Sequence, residues 1–148
     1  MRWGVACVGW VLIGLLAGGA GVAEGRVEKP LTVALGGEAT LVDPAGRSVD
    51  LTVTVGCQPG HSVVLEAFIY VTQPGFTSQF AGIPVRCGGQ PRTHLVRVAA
   101  FPESPFHRGE AFASAYVLLL DRKSGQTESG NASRPITIRS PRARPARV

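Results

Sequence analysis

The sequence predicts an all-β sandwich of seven or eight antiparallel strands. Three observations carry this. Residues 48–57, Ser48-Val49-Asp50-Leu51-Thr52-Val53-Thr54-Val55-Gly56-Cys57, alternate strictly between apolar and polar, and a period of two marks a half-buried strand. Similar runs recur between Gly/Pro punctuation at intervals of roughly 8–15 residues, the spacing of a sandwich. No run beyond the N-terminal segment carries the apolar period of a helix.

The chain opens on Arg2 and an uncharged apolar run, residues 4–23, followed at once by Glu24. A basic start, an apolar middle and the small residues Gly21-Val22-Ala23 make a secretory signal peptide, residues 1–23, with cleavage after Ala23. The competing reading is a retained anchor, because a run of this length can just span a bilayer. After cleavage no membrane span is expected.

Residues 24–139 form the predicted sandwich domain. Pro30 opens a strand at residues 31–35, read as an edge because Pro is tolerated at a strand start. Gly36-Gly37 interrupts it and residues 39–42 resume it. Asp43-Pro44-Ala45-Gly46 is a turn, with Pro fixing φ at the second position. The alternating strand 48–57 follows and ends at Gln58-Pro59-Gly60. Val63, Leu65, Ala67, Ile69 and Val71 then alternate again, with Val64, Glu66, Phe68 and Tyr70 on the other side. These two strands are expected to pair as the central hairpin.

Residues 72–80 read as a loop, in which Phe76 and Phe80 either tuck inward or mark an exposed apolar contact site. Ile83, Val85 and Cys87 suggest a short strand in the register of Cys57, ended by Gly88-Gly89-Gln90-Pro91. Residues 93–101 place Val96, Val98 and Ala100 on one side and Arg97 on the other. Pro102-Glu103-Ser104-Pro105-Phe106 is a bend. Ala111, Ala113, Ala115, Val117 and Leu119 alternate with Phe112, Tyr116, Leu118 and Leu120, so this strand is expected to be covered on both faces. Asp121-Arg122-Lys123-Ser124-Gly125 is a hairpin loop. Residues 132–139 form the last strand, which Pro135 assigns to an edge. Residues 140–148, rich in Pro, Arg and Ala, read as a disordered tail.

Removal of the signal takes Cys7, Trp3 and Trp10 with it and leaves Cys57 and Cys87. In an oxidising compartment that pair reads as one disulfide. The formal net charge is +5, and its position matters more than its size. Basic and acidic residues balance between Glu24 and Ile138 and Arg2 leaves with the signal, so the excess of the mature chain lies in Arg139, Arg142, Arg144 and Arg147. That tail is a candidate for weak, salt-sensitive contact with an anionic surface. No aromatic residue is interleaved with the arginines, which argues against specific nucleic-acid binding.

The runs Val49-Asp50-Leu51-Thr52-Val53-Thr54-Val55-Gly56-Cys57, Ala81-Gly82-Ile83-Pro84-Val85-Arg86-Cys87-Gly88-Gly89 and Gly109-Glu110-Ala111-Phe112-Ala113-Ser114-Ala115, behind an export signal, resemble small secreted immunoglobulin-like proteins of bacteria such as actinobacteria, of unassigned function. The resemblance spans residues 31–138 and implies an immunoglobulin-like sandwich. It brings no catalytic or binding residues. The mature chain has no Trp to pack on the disulfide, and the gap from Cys57 to Cys87 is shorter than in the inter-sheet bridge of antibody domains, so the strands the bridge joins stay open here.

No motif carries chemistry. His61, His94 and His107 each lie in or beside an expected turn and lack the short spacing of metal ligands. Asp50 and Glu66 stand on the polar sides of strands expected to be neighbours, where solvated carboxylates are routine. Asn131-Ala132-Ser133 is a glycosylation acceptor pattern. No nucleophile elbow or phosphate loop is present. The sequence therefore predicts a non-enzymatic exported domain without catalytic residues, metal or cofactor, which binds or builds at or outside the cell surface with a partner not identified. The alternative is a carrier of a small apolar ligand, with Phe76, Phe80, Phe106 and Phe112 as candidate cleft residues.

Overall fold

The computed structural model describes residues 31–59 and 62–141. Among these the chain is all-β and has no helix. The strands are β1 (Leu31–Leu41), β2 (Ser48–Cys57), β3 (Ser62–Gln73), β4 (Phe76–Thr77), β5 (Ala81–Gly82), β6 (Arg92–Ala99), β7 (Gly109–Asp121) and β8 (Thr127–Arg139). They form one curled sheet in the order β4-β3-β7-β8-β1-β2-β6, with β5 also on β3. All neighbours are antiparallel except β1 and β8, which run parallel over Glu38↔Thr137 to Thr40↔Arg139. That short junction is where the sheet folds over, so that β3-β7-β8 and β1-β2-β6 face each other across a shared core.

The alternating runs set that core. Val49, Leu51, Val53, Val55 and Cys57 of β2 are all buried, as are Val96 and Val98 of β6, Ile69 and Val71 of β3, and Ala111, Ala113, Ala115, Val117 and Leu119 of β7. Ile136 and Ile138 of β8 complete it. The alanines of β7 leave room for the branched side chains opposite, as facing layers that interdigitate require.

The expected hairpin of β2 with β3 does not form. β2 pairs with β1 and β6, whereas β3 pairs with β7. Alternation specifies a strand's buried face, but it does not name the neighbour. Both edges of β2 are taken, and the Cys57 carbonyl accepts from the Gly89 amide at 3.0 Å. The chain therefore crosses to the opposite half of the sheet. Asp50 and Glu66 consequently do not share neighbouring strands.

β1 and β8 are interior strands rather than edges. At Gly36-Gly37 the β1 ladder shifts register between Leu35 and Ala39, and Arg134 of β8 donates from Nη1 to the freed Leu35 carbonyl at 3.0 Å. Pro135 lies outside the short parallel ladder. β8 begins at Thr127, earlier than expected, because it pairs with β7 directly from the hairpin. That hairpin forms where expected, with the Gly125 amide bonded to the Asp121 carbonyl at 2.8 Å.

β3 carries a bulge between Val64 and Glu66, which breaks the alternation and leaves Leu65 47% exposed rather than inward. Residues 72–80 are not a plain loop. Pro74-Gly75 makes a two-residue turn, with Gly75 at φ 93°, and β4 folds back on β3. Residues 83–87 do not form the expected strand. Ile83 is nonetheless buried and its amide reaches the Ala67 carbonyl at 3.0 Å.

The curled sheet ends at β6 on one side and at β3, with the short β4 and β5 laid on it, on the other, and one segment bridges the two sides. The Ser78 amide bonds the Val71 carbonyl, and the Gln79 amide bonds the Ala99 carbonyl. Gln79 Nε2 adds a bond to the Ala100 carbonyl at 3.0 Å. Bridging the edges leaves less unpaired backbone to template association.

Cys57 and Cys87 form the disulfide, with a Cα–Cα distance of 4.8 Å. It ties the end of β2 to the connection between β5 and β6. It therefore joins a strand to a connecting segment and does not bridge two strands of opposite halves.

Candidate functional site

The outer face of β3-β7-β8 is built as a grid. Two-residue alternation sends every second side chain outward, and the register sets them in rows across the strands. Phe68 lies opposite Tyr116, and Tyr116 opposite Asn131. The next row is Tyr70, Ser114 and Ser133. Strands are about 4.8 Å apart and successive rows about 7 Å, so these six side chains form one continuous patch.

Phe80, which follows the bridging residue Gln79, lies at the β3 edge of the patch. Its ring meets Phe68 edge-on at 5.1 Å and Tyr70 edge-on at 5.3 Å. Phe68 and Tyr116 are in tilted contact at 5.5 Å. The opposite side is polar: Ser133 Oγ donates to Ser114 Oγ at 2.9 Å, and Asn131 is exposed. Together with Ala115 and Ala132 these residues line an open groove of about 780 Å³, within the roughly 300–1,000 Å³ of small-molecule sites. No lining residue carries a formal charge. Glu66 is the nearest acid in register, one row along β3 beside Leu118.

Phe80 is 68% exposed, while Phe68, Tyr70 and Tyr116 are half-buried. The expected cover over β7 is thus partial: Phe112 is 44% exposed, and its outward neighbours form the groove. The outer face of β1-β2-β6 differs in character. It carries Thr52, Thr54, Thr93 and the Arg97–Asp50 ion pair, with Thr54 and Thr93 hydroxyls 2.7 Å apart. Bidentate bonding to Asp50 holds the Arg97 guanidinium above its ordinary pKa. Leu95 is the apolar exception there.

The four phenylalanines proposed for an apolar cleft do not converge. Phe76 and Phe106 contact each other at 5.7 Å, and both pack against the core. Phe80 belongs to the outer groove. Phe112 borders a separate shallow hollow with Thr72 and Gln73. Phe76 has therefore tucked inward and Phe80 has not.

The other candidate residues are dispersed. His94 is the third residue of β6 rather than a turn residue, and His107 lies in the connection to β7, where its amide donates to Gln73 Oε1 at 3.1 Å. His61 lies outside the described residues. No group of three His, Cys, Asp or Glu side chains able to hold a metal occurs among the described residues. Arg139 ends β8 and pairs with Glu38. Arg142, Arg144 and Arg147 lie outside the described residues, as does the expected signal segment. No helix among the described residues is long and apolar enough to cross a membrane.

Sequence reasoning missed the groove as a site. Its available signal was three aromatic residues, Phe68, Tyr70 and Tyr116, on the solvent sides of two alternating strands. Gln73 was also missed: this carboxamide is buried and donates to the His107 and Glu110 carbonyls at 2.9 and 3.3 Å. No protein-family model and no curated protein matches the chain.

Proposed function

We propose that the protein is a non-enzymatic, exported β-sandwich domain that binds its ligand at or outside the cell surface through the aromatic outer face of β3-β7-β8. One observation carries this: Phe68, Tyr70, Phe80 and Tyr116 gather around one open groove instead of entering the core. Large aromatic side chains left in water forgo the gain from burial, and binding recovers it. The disulfide fits an oxidising compartment. The immunoglobulin-like resemblance agrees with a binding role and adds no residue to it. A carrier with an internal cleft has less support, because Phe106 is buried in the core and Phe76 packs against it.

The test is retention on whole cells and isolated wall material of the source, comparing the native chain, Phe80→Ala with Tyr116→Ala, and a chain lacking residues 140–148. Loss of retention in the double variant supports the groove. Loss only on truncation assigns attachment to the arginine tail instead. Unchanged retention in the double variant refutes the proposal.

A further inference from the structure

We infer that the groove on β3-β7-β8 takes a neutral, hydroxyl-rich sugar, a segment of an uncharged glycan built of pyranose rings. This rests on the binding role proposed above and names its ligand class. The argument is one of chemical match. One side of the groove is aromatic: Phe68, Tyr70, Phe80 and Tyr116. The other side is hydroxyl and amide: Ser114, Asn131 and Ser133. A wholly apolar ligand would strip water from those three polar groups without replacing their hydrogen bonds, which is costly. A charged ligand would find no opposite charge among the lining residues. The ligand that fits has an apolar face and a rim of neutral hydrogen-bonding groups. A pyranose ring has this form, with C–H groups on its faces and hydroxyls around its edge.

The hydroxyl pair narrows the choice further. Ser114 and Ser133 share one hydrogen bond. Whichever donates, the pair keeps one free proton and free lone pairs, because each hydroxyl is one donor and two acceptors. It therefore offers a donor and an acceptor at one point. The Asn131 carboxamide offers the same combination. A sugar hydroxyl is likewise donor and acceptor. A proline-rich peptide also suits aromatic grooves, but its prolines lack an N–H and present carbonyls alone, which would use only the donor half of these groups.

The geometry suits a chain-like ligand. The aromatic residues span two rows of the grid, about 7 Å apart along the strands, and the groove is open rather than enclosed. An oligosaccharide can enter from the side and place one ring over Phe68 and Tyr116 and the next over Tyr70 and Phe80. The edge-on contacts of Phe80 with Phe68 and Tyr70 hold these rings before any ligand arrives.

The experiment uses the full chain and a probe panel: cello-, malto-, manno- and chito-oligosaccharides, with polygalacturonate, a polyproline peptide and laurate as the other chemistries. Affinity is read by calorimetry. Site is read by NMR from the tyrosine ring signals, since Tyr70 and Tyr116 are the chain's two tyrosines and both line the groove. The expected result is saturable binding of at least one neutral oligosaccharide that shifts both tyrosines. Phe80→Ala should weaken it about tenfold and Ser133→Ala about fivefold, the ordinary scale of one aromatic contact and one hydrogen bond. Phe80 is largely exposed, so its replacement keeps the fold, which circular dichroism checks. Absence of saturable sugar binding, or sugar binding that Phe80→Ala and Ser133→Ala both leave unchanged, overturns the assignment. Tyrosine shifts caused only by polyproline or laurate also overturn it while leaving the groove as the binding face. Retention on cells that ignores the groove variants removes the broader reading as well.

Discussion

Replacing Gln73 tests how the fold is held together at the turn beyond β3. The residue is only 3% exposed, yet its side chain is polar. Nε2 donates to the His107 carbonyl at 2.9 Å and to the Glu110 carbonyl at 3.3 Å, and Oε1 accepts from the His107 amide at 3.1 Å. One carboxamide thus fastens the connection between β6 and β7 to the end of β3. Gln73→Met keeps the length and removes all three bonds. At about 1 kcal/mol net per bond, with the backbone groups left facing an apolar chain, the expected loss is about 3 kcal/mol. Urea unfolding measures it as a lower midpoint at unchanged slope. Gln73→Glu adds a sign. Its carboxylate would face two carbonyl oxygens, so the folded protein favours the protonated form and raises the pKa above the unfolded value. Stability is then highest below the unfolded carboxyl pKa and falls as pH rises through the window up to the folded one. A loss below about 0.5 kcal/mol for the methionine variant, within the usual range of surface changes, would refute the clamp. So would a Glu variant that gains stability as pH rises through that window.

Three further outcomes follow from the same structure. Removing the disulfide as Cys57→Ala with Cys87→Ala should lower stability by about 3–4 kcal/mol, the chain-entropy value for a loop of sequence separation 30; denaturant titration of the oxidised native and variant proteins checks it. Gly46→Ala should cost at least about 2 kcal/mol, because Gly46 sits at φ 70° with an added Cβ only 1.9 Å from the Phe106 carbonyl oxygen and a left-handed backbone alone costs roughly 1–2 kcal/mol; thermal unfolding reads the shift. Arg97→Gln should barely move the unfolding midpoint at low salt and leave it unchanged at high salt, since the pair with Asp50 is exposed; urea midpoints at low and high salt decide it.

The sequence showed the faces of the strands better than their partners. The inward run from Val49 to Cys57 and the one from Ala111 to Leu119 are both buried throughout, because period-two patterning follows directly from the pleat. Pairing was less visible. Gln58-Pro59-Gly60 looked like a hairpin turn, but a turn signal does not say whether the next strand stays in the same half of the sheet. Pro135 pointed to an edge, and the interrupted ladder of β1 let an interior strand keep it. The bulge at Val64/Glu66 reversed the expectation for Leu65, since one inserted residue shifts the face of what precedes it. The groove was hidden for the same reason. Phe68, Tyr70 and Tyr116 were readable as outward residues, but their meeting depends on the β3-β7 register. Gln73 had no signal, because a lone glutamine near a Pro-Gly turn is ordinarily solvated.

The closing segment connects the stability of the fold to the groove. Ser78 is buried, its amide bonds the Val71 carbonyl, and its hydroxyl accepts from the Val71 amide at 2.9 Å. Gln79 is tied twice to the end of β6. Ala81 pairs with Ile69 on β3. Phe80 stands between these anchors, so its backbone is fixed on both sides while its ring remains in water. Such a residue loses little further freedom when a ligand covers it, and reducing that loss is how preorganisation raises affinity. The same bonds bridge the β3 and β6 edges against unwanted pairing. A protein that needed only to close its sheet could place a small polar residue at position 80. Placing Phe there, against Phe68 and Tyr70, completes the aromatic side of the groove.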